Sequence, residues 1–233
     1  MNADFFSWER FADVFPKVLV KLPVTFEIVL MATVIGLCLG TILAMIRIKK
    51  IPVLNQIAFL MISFFRGTPA LVQMFIVYYG TPLLFRSVFG IDLSGADKLL
   101  FVFITFGLNQ SGYMAEQIRA AILSVPAGQT EAAYAVGLTG WQTFRRIVFP
   151  QALKVAIPGL ETMFVTLFQD TALAYMIGVA DMMGKVKLIA ASTRHSMEGY
   201  VGVAIIFAVI SLLLEEIFTV VNRRMAHERK ASI

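Results

Sequence analysis

The sequence predicts an all-α, polytopic membrane protein of about five transmembrane helices, with one polar loop between the third and the fourth. Three observations carry this. Hydrophobic residues make up 58% of the 233 and charged residues only 15%, whereas soluble domains carry about 25% charged residues. Mean hydropathy is +0.79. Uncharged runs close to the roughly 20 residues that cross a hydrocarbon core recur along the chain, separated by short charged stretches. The whole of 1–233 reads as a single membrane domain.

The first span covers 22–46. Its core, Ile28 to Ile46, is 19 uncharged residues, and it stops at Arg47-Ile48-Lys49-Lys50, with Pro52 beyond. Gly36 and Gly40 form a G-x-x-x-G pattern on it, which lets helices pack closely. The second span covers 53–85. Its uncharged run of 19 residues, Gly67 to Phe85, follows a shorter apolar stretch from Val53 to Phe65. This is either one long helix broken near Gly67-Thr68-Pro69 or an interfacial elbow leading into a span. The third, 98–122, holds 17 uncharged residues from Leu99 to Ala115 and ends in a stretch with Glu116 and Arg119. Between 124 and 154 the hydrophobicity falls, and Pro126 and Pro150 bracket an extramembrane loop with local helices. The fourth span, 155–179, contains Glu161 and Asp170. The fifth, 199–221, has 16 uncharged residues from Gly199 to Leu214 and runs up to Asn222-Arg223-Arg224.

The sequence pI near 9.4 does not point to nucleic acid, because Lys and Arg flank apolar segments and form no continuous basic face. Asp4, Glu9 and Asp13 stand where a signal peptide carries basic residues, so the first apolar stretch is expected to remain as a membrane helix. Five spans put the termini on opposite sides. With the Arg47–Lys50 turn inside, eleven basic residues share its side and eight lie opposite, Arg66 being unassigned. That bias favours an external N-terminus and a cytoplasmic C-terminus.

Enzymatic signatures are missing. Gly178 to Lys185 approaches a nucleotide-binding loop but has five residues between its glycines instead of four, and Val186 stands where Ser or Thr would hold magnesium. With Cys38 the single cysteine and His195 and His227 the only histidines, neither a disulfide within the chain, a cysteine metal cluster nor a paired-histidine metal site is expected. No cofactor is expected on this chain, and energy for transport has to come from a partner or a gradient.

The polar loop has its own local logic. Gln129 to Val136 is rich in helix formers, and the small Ala132, Ala133 and Ala135 would let another protein approach the backbone. Gly137 falls where a helix closes in a left-handed residue, which carries no side-chain penalty at glycine. Thr139 and Gln142 then have the T-x-x-Q spacing of a capping box. This starts a second short helix through Trp141, Phe144 and Ile147, which Pro150 is expected to end. Two short helices joined at a glycine make a knob suited to a partner's groove.

The run Glu131-Ala132-Ala133, three residues, Gly137, nine residues, Ile147, two residues, Pro150 resembles the signature loop of bacterial ABC importer permeases. Phe149 stands where that family usually has leucine. Phe65-Arg66-Gly67-Thr68-Pro69 is similar to the FRGTP motif of the polar amino-acid permeases, the His/Glu/Gln/Arg family, within that superfamily. Glu116 to Ile122 is similar to its E-x-x-R-x-x-I segment. Phe168-Gln169-Asp170-Thr171-Ala172-Leu173 resembles its K-D-T-S-L segment, with glutamine for lysine and alanine for serine. The resemblance covers the chain from about the first span to the end of the fourth.

What the resemblance implies is a MetI-like permease in the bacterial cytoplasmic membrane. Glu131, Ala132, Ala133, Gly137, Ile147 and Pro150 would form the coupling contact with a cytoplasmic ABC ATPase dimer, on which ATP and magnesium are expected. A second permease subunit, the same or a related chain, and an extracytoplasmic solute-binding protein complete the implied assembly. Gln169, with Tyr175 following, resembles the glutamate/aspartate branch, so one of those is the expected cargo. Glutamine, cystine, arginine and histidine are the alternatives.

Ionisable residues at membrane depth cost several kcal/mol unless paired or hydrated, so each raises a functional question. Glu161 and Asp170 are nine residues apart, about 13 Å along a helix and on opposite faces of it, so one narrow site does not hold both. Gln169, Asp170 and Thr171 form a candidate gating cluster, and Glu161 is a candidate for the pathway wall. Arg66 and Thr68 join these candidates at the break in the second span, Arg66 alternatively as an interfacial anchor. From these residues alone two other functions stay open. One is a gradient-driven carrier with Glu161 or Asp170 as its proton site; the other is a membrane scaffold whose knob recruits a soluble partner.

Overall fold

In the computed structural model, which describes residues 5–230, every regular element among the described residues is helical. Helix α1 (Trp8–Leu19) turns through Val20 and Lys21 into α2 (Leu22–Lys49). α3 (Leu54–Gly67) is followed by α4 (Ala70–Phe75), a π turn (Ile76–Gly80) and α5 (Thr81–Phe89), which run on as one rod. α6 (Lys98–Leu123) leads to the loop helices α7 (Ala127–Ala135) and α8 (Gly140–Thr143). A second π turn (Phe144–Val148) continues into α9 (Phe149–Asp170) and a 3-10 turn (Thr171–Ile177). α10 (Met182–Thr193) and α11 (Met197–Lys230) complete the chain.

α6 is the central helix, packed against α2, α3, α4 and α9. It buries polar as well as apolar residues, among them Phe106, Asn109, Gln110, Ser111 and Met114. The seam with α2 is the predicted G-x-x-x-G. A Cβ on Gly36 would stand 2.9 Å from that of Gln110, and one on Gly40 would stand 3.0 Å from that of Met114. Close approach of this kind supplies packing contacts where lipid offers no hydrophobic drive between helices.

Three helical segments are long and apolar enough to cross a membrane: Trp8–Lys49, Ala70–Phe89 and Met197–Val220. The pair Gly140–Ile177 and Met182–Thr193, bent by 43°, makes a fourth. α6 has 26 residues, about 39 Å of helix, which is enough to cross. It is less apolar because its polar residues are turned into the protein and not to lipid. Counting α6 by its length, up to five segments among the described residues could cross.

The boundaries differ from expectation in three places, each for a local reason. α1 falls before the first expected span. Its charged Glu9, Arg10, Asp13 and Lys17 interrupt the apolar run, yet Phe11, Val14, Phe15 and Val18 keep helical spacing. Val14 and Val18 pack with Met182, Val186, Val203 and Ile206. α10 fills the interval expected as a connection, capped by Asp181, whose Oδ1 accepts the Gly184 N–H at 2.8 Å. Segment 53–85 divides at the place the sequence marked, since Thr68 and Pro69 are extended between α3 and α4. Pro150 does not end the second loop helix. It sits in the first turn of α9, directly after the π turn, and the π turn carries α8 straight into that helix. Asp4 lies outside the described residues, as do the side chains of Arg223, Arg224, Arg229 and Lys230.

Candidate functional site

The knob forms at one end of the helices. α7 closes on Gly137, whose φ of 81° is left-handed. Gly137 N–H donates to the Tyr134 carbonyl at 3.0 Å and Leu138 N–H to the Ala133 carbonyl at 3.1 Å, the two bonds of a Schellman close. One residue later the capping box is in place. Gln142 N–H donates to Thr139 Oγ1 at 3.4 Å, and Thr139 N–H donates to Gln142 Oε1 at 2.9 Å. The two helix ends that meet at the turn between α7 and α8 are thus both capped by hydrogen bonds.

The knob's surface is unusually apolar for a loop. Val136 is 77% exposed and Trp141 68%, with Tyr134 and Phe149 also exposed. Glu131, Ala132, Gly137 and Pro150 share that exposure, and Ile147 is half-buried. Ala133 differs from the expectation of an open alanine face, because it is buried inside the knob. Trp141 stacks on Phe144, and Phe144 packs on Phe149, each at 6.0 Å between ring centroids.

A cavity of about 650 Å³ lies deeper, between α6, α9 and the break separating α3 from α4. That volume suits a small solute. Thr68 and Leu71 line it from the break, Asn109, Gln110 and Tyr113 from α6, and Thr162, Thr166 and Asp170 from α9. Gln110 is 4% exposed, and its Oε1 is buried with no hydrogen-bond partner among the described residues.

The cavity unites only two of the predicted pathway residues, Thr68 and Asp170. Glu161 is not in its lining and instead accepts from Asn222 Nδ2 of α11 at 3.0 Å. Gln169 is exposed, with Nε2 3.3 Å from Ser211 Oγ. Thr171 is buried and donates to the Phe168 carbonyl at 2.6 Å, where α9 tightens into the 3-10 turn. Arg66 is exposed, its guanidinium 5.6 Å from the centre of the Tyr113 ring. The residues that sequence reasoning missed are Asn109, Gln110 and Tyr113. Their signal was present as a polar cluster, Asn109 to Tyr113, within an otherwise apolar span.

Apolar helices packed around a cavity into whose wall a few polar side chains are set, with a capped knob at one end, define an integral-membrane permease. The chain belongs to the family of binding-protein-dependent transport system inner membrane components, whose family model matches residues 36–227. It is a transporter subunit and not an enzyme. It is 43% identical over 220 residues to the L-cystine transport system permease protein TcyL of Bacillus subtilis, an alignment covering 94% of this chain and 92% of that one. It is 30% identical over 221 residues to the glutamate/aspartate import permease protein GltK of Escherichia coli O157:H7, covering 95% and 99%. Among solved structures, the crystal structure of an amino acid ABC transporter with histidines superposes with a TM-score of 0.81 at 29% identity, covering 96% of this chain and all of that one.

Proposed function

We propose that this chain is the permease subunit of an ATP-driven importer of polar amino acids, and that its cavity receives the cargo by the ammonium group. The make-up of the cavity lining carries this reading. Asp170 and the unpartnered Oε1 of Gln110 both call for a hydrogen-bond donor, and no Lys or Arg lines the cavity among the described residues. An ammonium supplies three donors and the opposite charge. A carboxylate with no second ammonium to balance it, as on the side chain of glutamate or aspartate but not in cystine, would oppose Asp170: like charges 4 Å apart repel by about 4 kcal/mol at an effective dielectric of 20.

That balance favours cystine, glutamine, arginine or histidine over glutamate or aspartate. The higher identity to the cystine permease than to the glutamate/aspartate permease supports the same order. Gln169, which suggested the glutamate/aspartate branch, turns to Ser211 and not to the cavity. We place cystine first and glutamate or aspartate behind it.

In this reading two permease chains, identical or related, form the pathway, and an external solute-binding protein supplies the cargo. A cytoplasmic ABC ATPase dimer carrying ATP and magnesium docks on the two knobs, Glu131 to Pro150. The N-terminus lies outside and the C-terminus in the cytoplasm of a bacterial cell. The exposed apolar surface of the knob supports a docking role, since such a surface beside capped turns suits a protein groove.

Reconstitution of the chain with its ATPase and binding protein in proteoliposomes tests this. Cystine is expected to enter only with internal ATP, and arginine or histidine to compete better than glutamate. Uptake by the chain alone, driven by a proton gradient without ATP, would overturn the importer reading. Preferential uptake of glutamate would overturn the ammonium reading alone.

A further inference from the structure

The break between α3 and α4 leaves one backbone group stranded. In a continuous helix the Phe65 carbonyl would accept from residue 69, but that residue is Pro69, which has no N–H. An unsatisfied carbonyl at membrane depth costs several kcal/mol. The protein meets this one twice. Gln73 Nε2 and Asn109 Nδ2 each donate to the Phe65 carbonyl at 3.0 Å.

The two amides are also joined to each other and to the cavity wall. Asn109 Nδ2 donates to Gln73 Oε1 at 3.3 Å. Gln73 Nε2 lies 2.6 Å from Thr68 Oγ1 and 3.1 Å from the Thr68 carbonyl. The Thr68 hydroxyl is spent as a donor on the Phe64 carbonyl at 2.7 Å, so its oxygen accepts from Gln73. The polarity therefore runs in one direction, from Asn109 on α6 through Gln73 on α4 to Thr68 in the break and Phe64 on α3. Gln73 is 3% exposed and Asn109 6%. Thr68 and Asn109 line the cavity, whereas Gln73 does not.

We propose that Gln73 is a positioning residue for transport. It does not touch the cargo; it clamps the break so that Thr68 and Asn109 hold one wall of the cavity at a fixed distance from Asp170. The placement of the wall rests on the cavity being the cargo site, as proposed above; the clamp itself does not. Gln73→Met keeps the length and apolar body of the side chain while removing every hydrogen bond that Gln73 makes and leaving those of Asn109 and Thr68 to the backbone of α3, so it isolates the clamp from packing.

The test pairs transport with a distance measurement that needs no cargo. In a Cys38→Ser background, spin labels at the exposed Leu60 of α3 and Leu83 of α5 report the angle across the break. Gln73→Met is expected to broaden their distance distribution and to raise the KM for cystine uptake about tenfold while changing maximal rate less than about twofold, the signature of lost binding geometry. If Gln73→Met does not assemble, Thr68→Val removes the two bonds of the hydroxyl, from Gln73 and to the Phe64 carbonyl, and Thr68→Ser, which keeps the hydroxyl, is expected to restore both readouts. An unbroadened distribution overturns the clamp. A broadened distribution with unchanged KM overturns its role in cargo binding. If the parent chain imports no amino acid, the proposed function fails while the distances still judge the clamp.

Discussion

The guanidinium of Arg10 and the carboxylate of Glu198 meet at 2.7 Å, joining the start of α1 to the start of α11 across 188 positions of sequence. Glu198 is 2% exposed and also accepts the Ser7 N–H at 3.0 Å. Below this pair, Val14 and Val18 cover α10 and α11. Removal of one partner leaves a buried carboxylate short of its charged donor, and hydrogen bonds to charged groups are worth about 1.5–3 kcal/mol. Arg10→Ala is therefore expected to lower stability by that amount, measured by thermal unfolding in detergent, with α1 the first element to lose protection in hydrogen exchange. Protection of α1 equal to that of the parent would count against the tether.

Gly40 tests the central seam. A Cβ there would stand 3.0 Å from both Met114 Cβ and the Ser111 carbonyl oxygen, and a backbone oxygen cannot move aside without disturbing α6. Overpacking of a tight core typically costs about 1–3 kcal/mol. Gly40→Leu is expected to fall in this range, while Leu at the exposed neighbour Ile42 should leave the melting temperature unchanged. Equal melting temperatures for the two variants would refute the close packing of α2 on α6.

The parts of this structure that were legible in the sequence are those set by local pattern. The left-handed close at Gly137 and the box between Thr139 and Gln142 each depend on residues no more than five apart. The uncharged runs marked α2 and α11 because those helices carry exposed apolar side chains, such as Leu30 and Ile42 on the first and Leu212 and Leu213 on the second. What was not legible depends on distant partners. Glu161 accepts from Asn222, 61 positions away, a pairing that neither residue's neighbours in sequence announce. Asn109 gains its role from Phe65, 44 positions away. α1 escaped notice for another reason: its Glu9, Arg10, Asp13 and Lys17 defeat a search for uncharged runs, although its apolar spacing is helical.

Among the described residues, Asp170 is the only ionisable one lining the cavity, apart from the phenol of Tyr113. Asp170→Asn keeps the shape and removes the charge. The KM for cystine or arginine is expected to rise at least about tenfold, equivalent to about 1.4 kcal/mol of lost attraction. Uptake of glutamate, no longer repelled, should fall less or rise. Competition assays in proteoliposomes measure both, and an equal loss for cationic and anionic amino acids would show that Asp170 acts through structure and not through charge.

Gly137 offers a graded test of the knob, because its backbone and not a side chain is what matters. At φ 81° a residue with a Cβ meets a left-handed penalty of about 1–2 kcal/mol, which asparagine tolerates better than alanine or valine. A Cβ placed there touches nothing within 4 Å, so the effect comes from conformation and not from a clash inside this chain. Uptake rate and copurification of the ATPase should both fall in the order Gly, Asn, Ala, Val, and Gly137→Asp should add a charge at the contact and abolish coupling while the protein still inserts in the membrane. The transmembrane helices are built elsewhere, so binding of cargo to the cavity should persist in every variant. A rate that ignores this order, with the ATPase still bound, would remove the α7 to α8 turn from the coupling path.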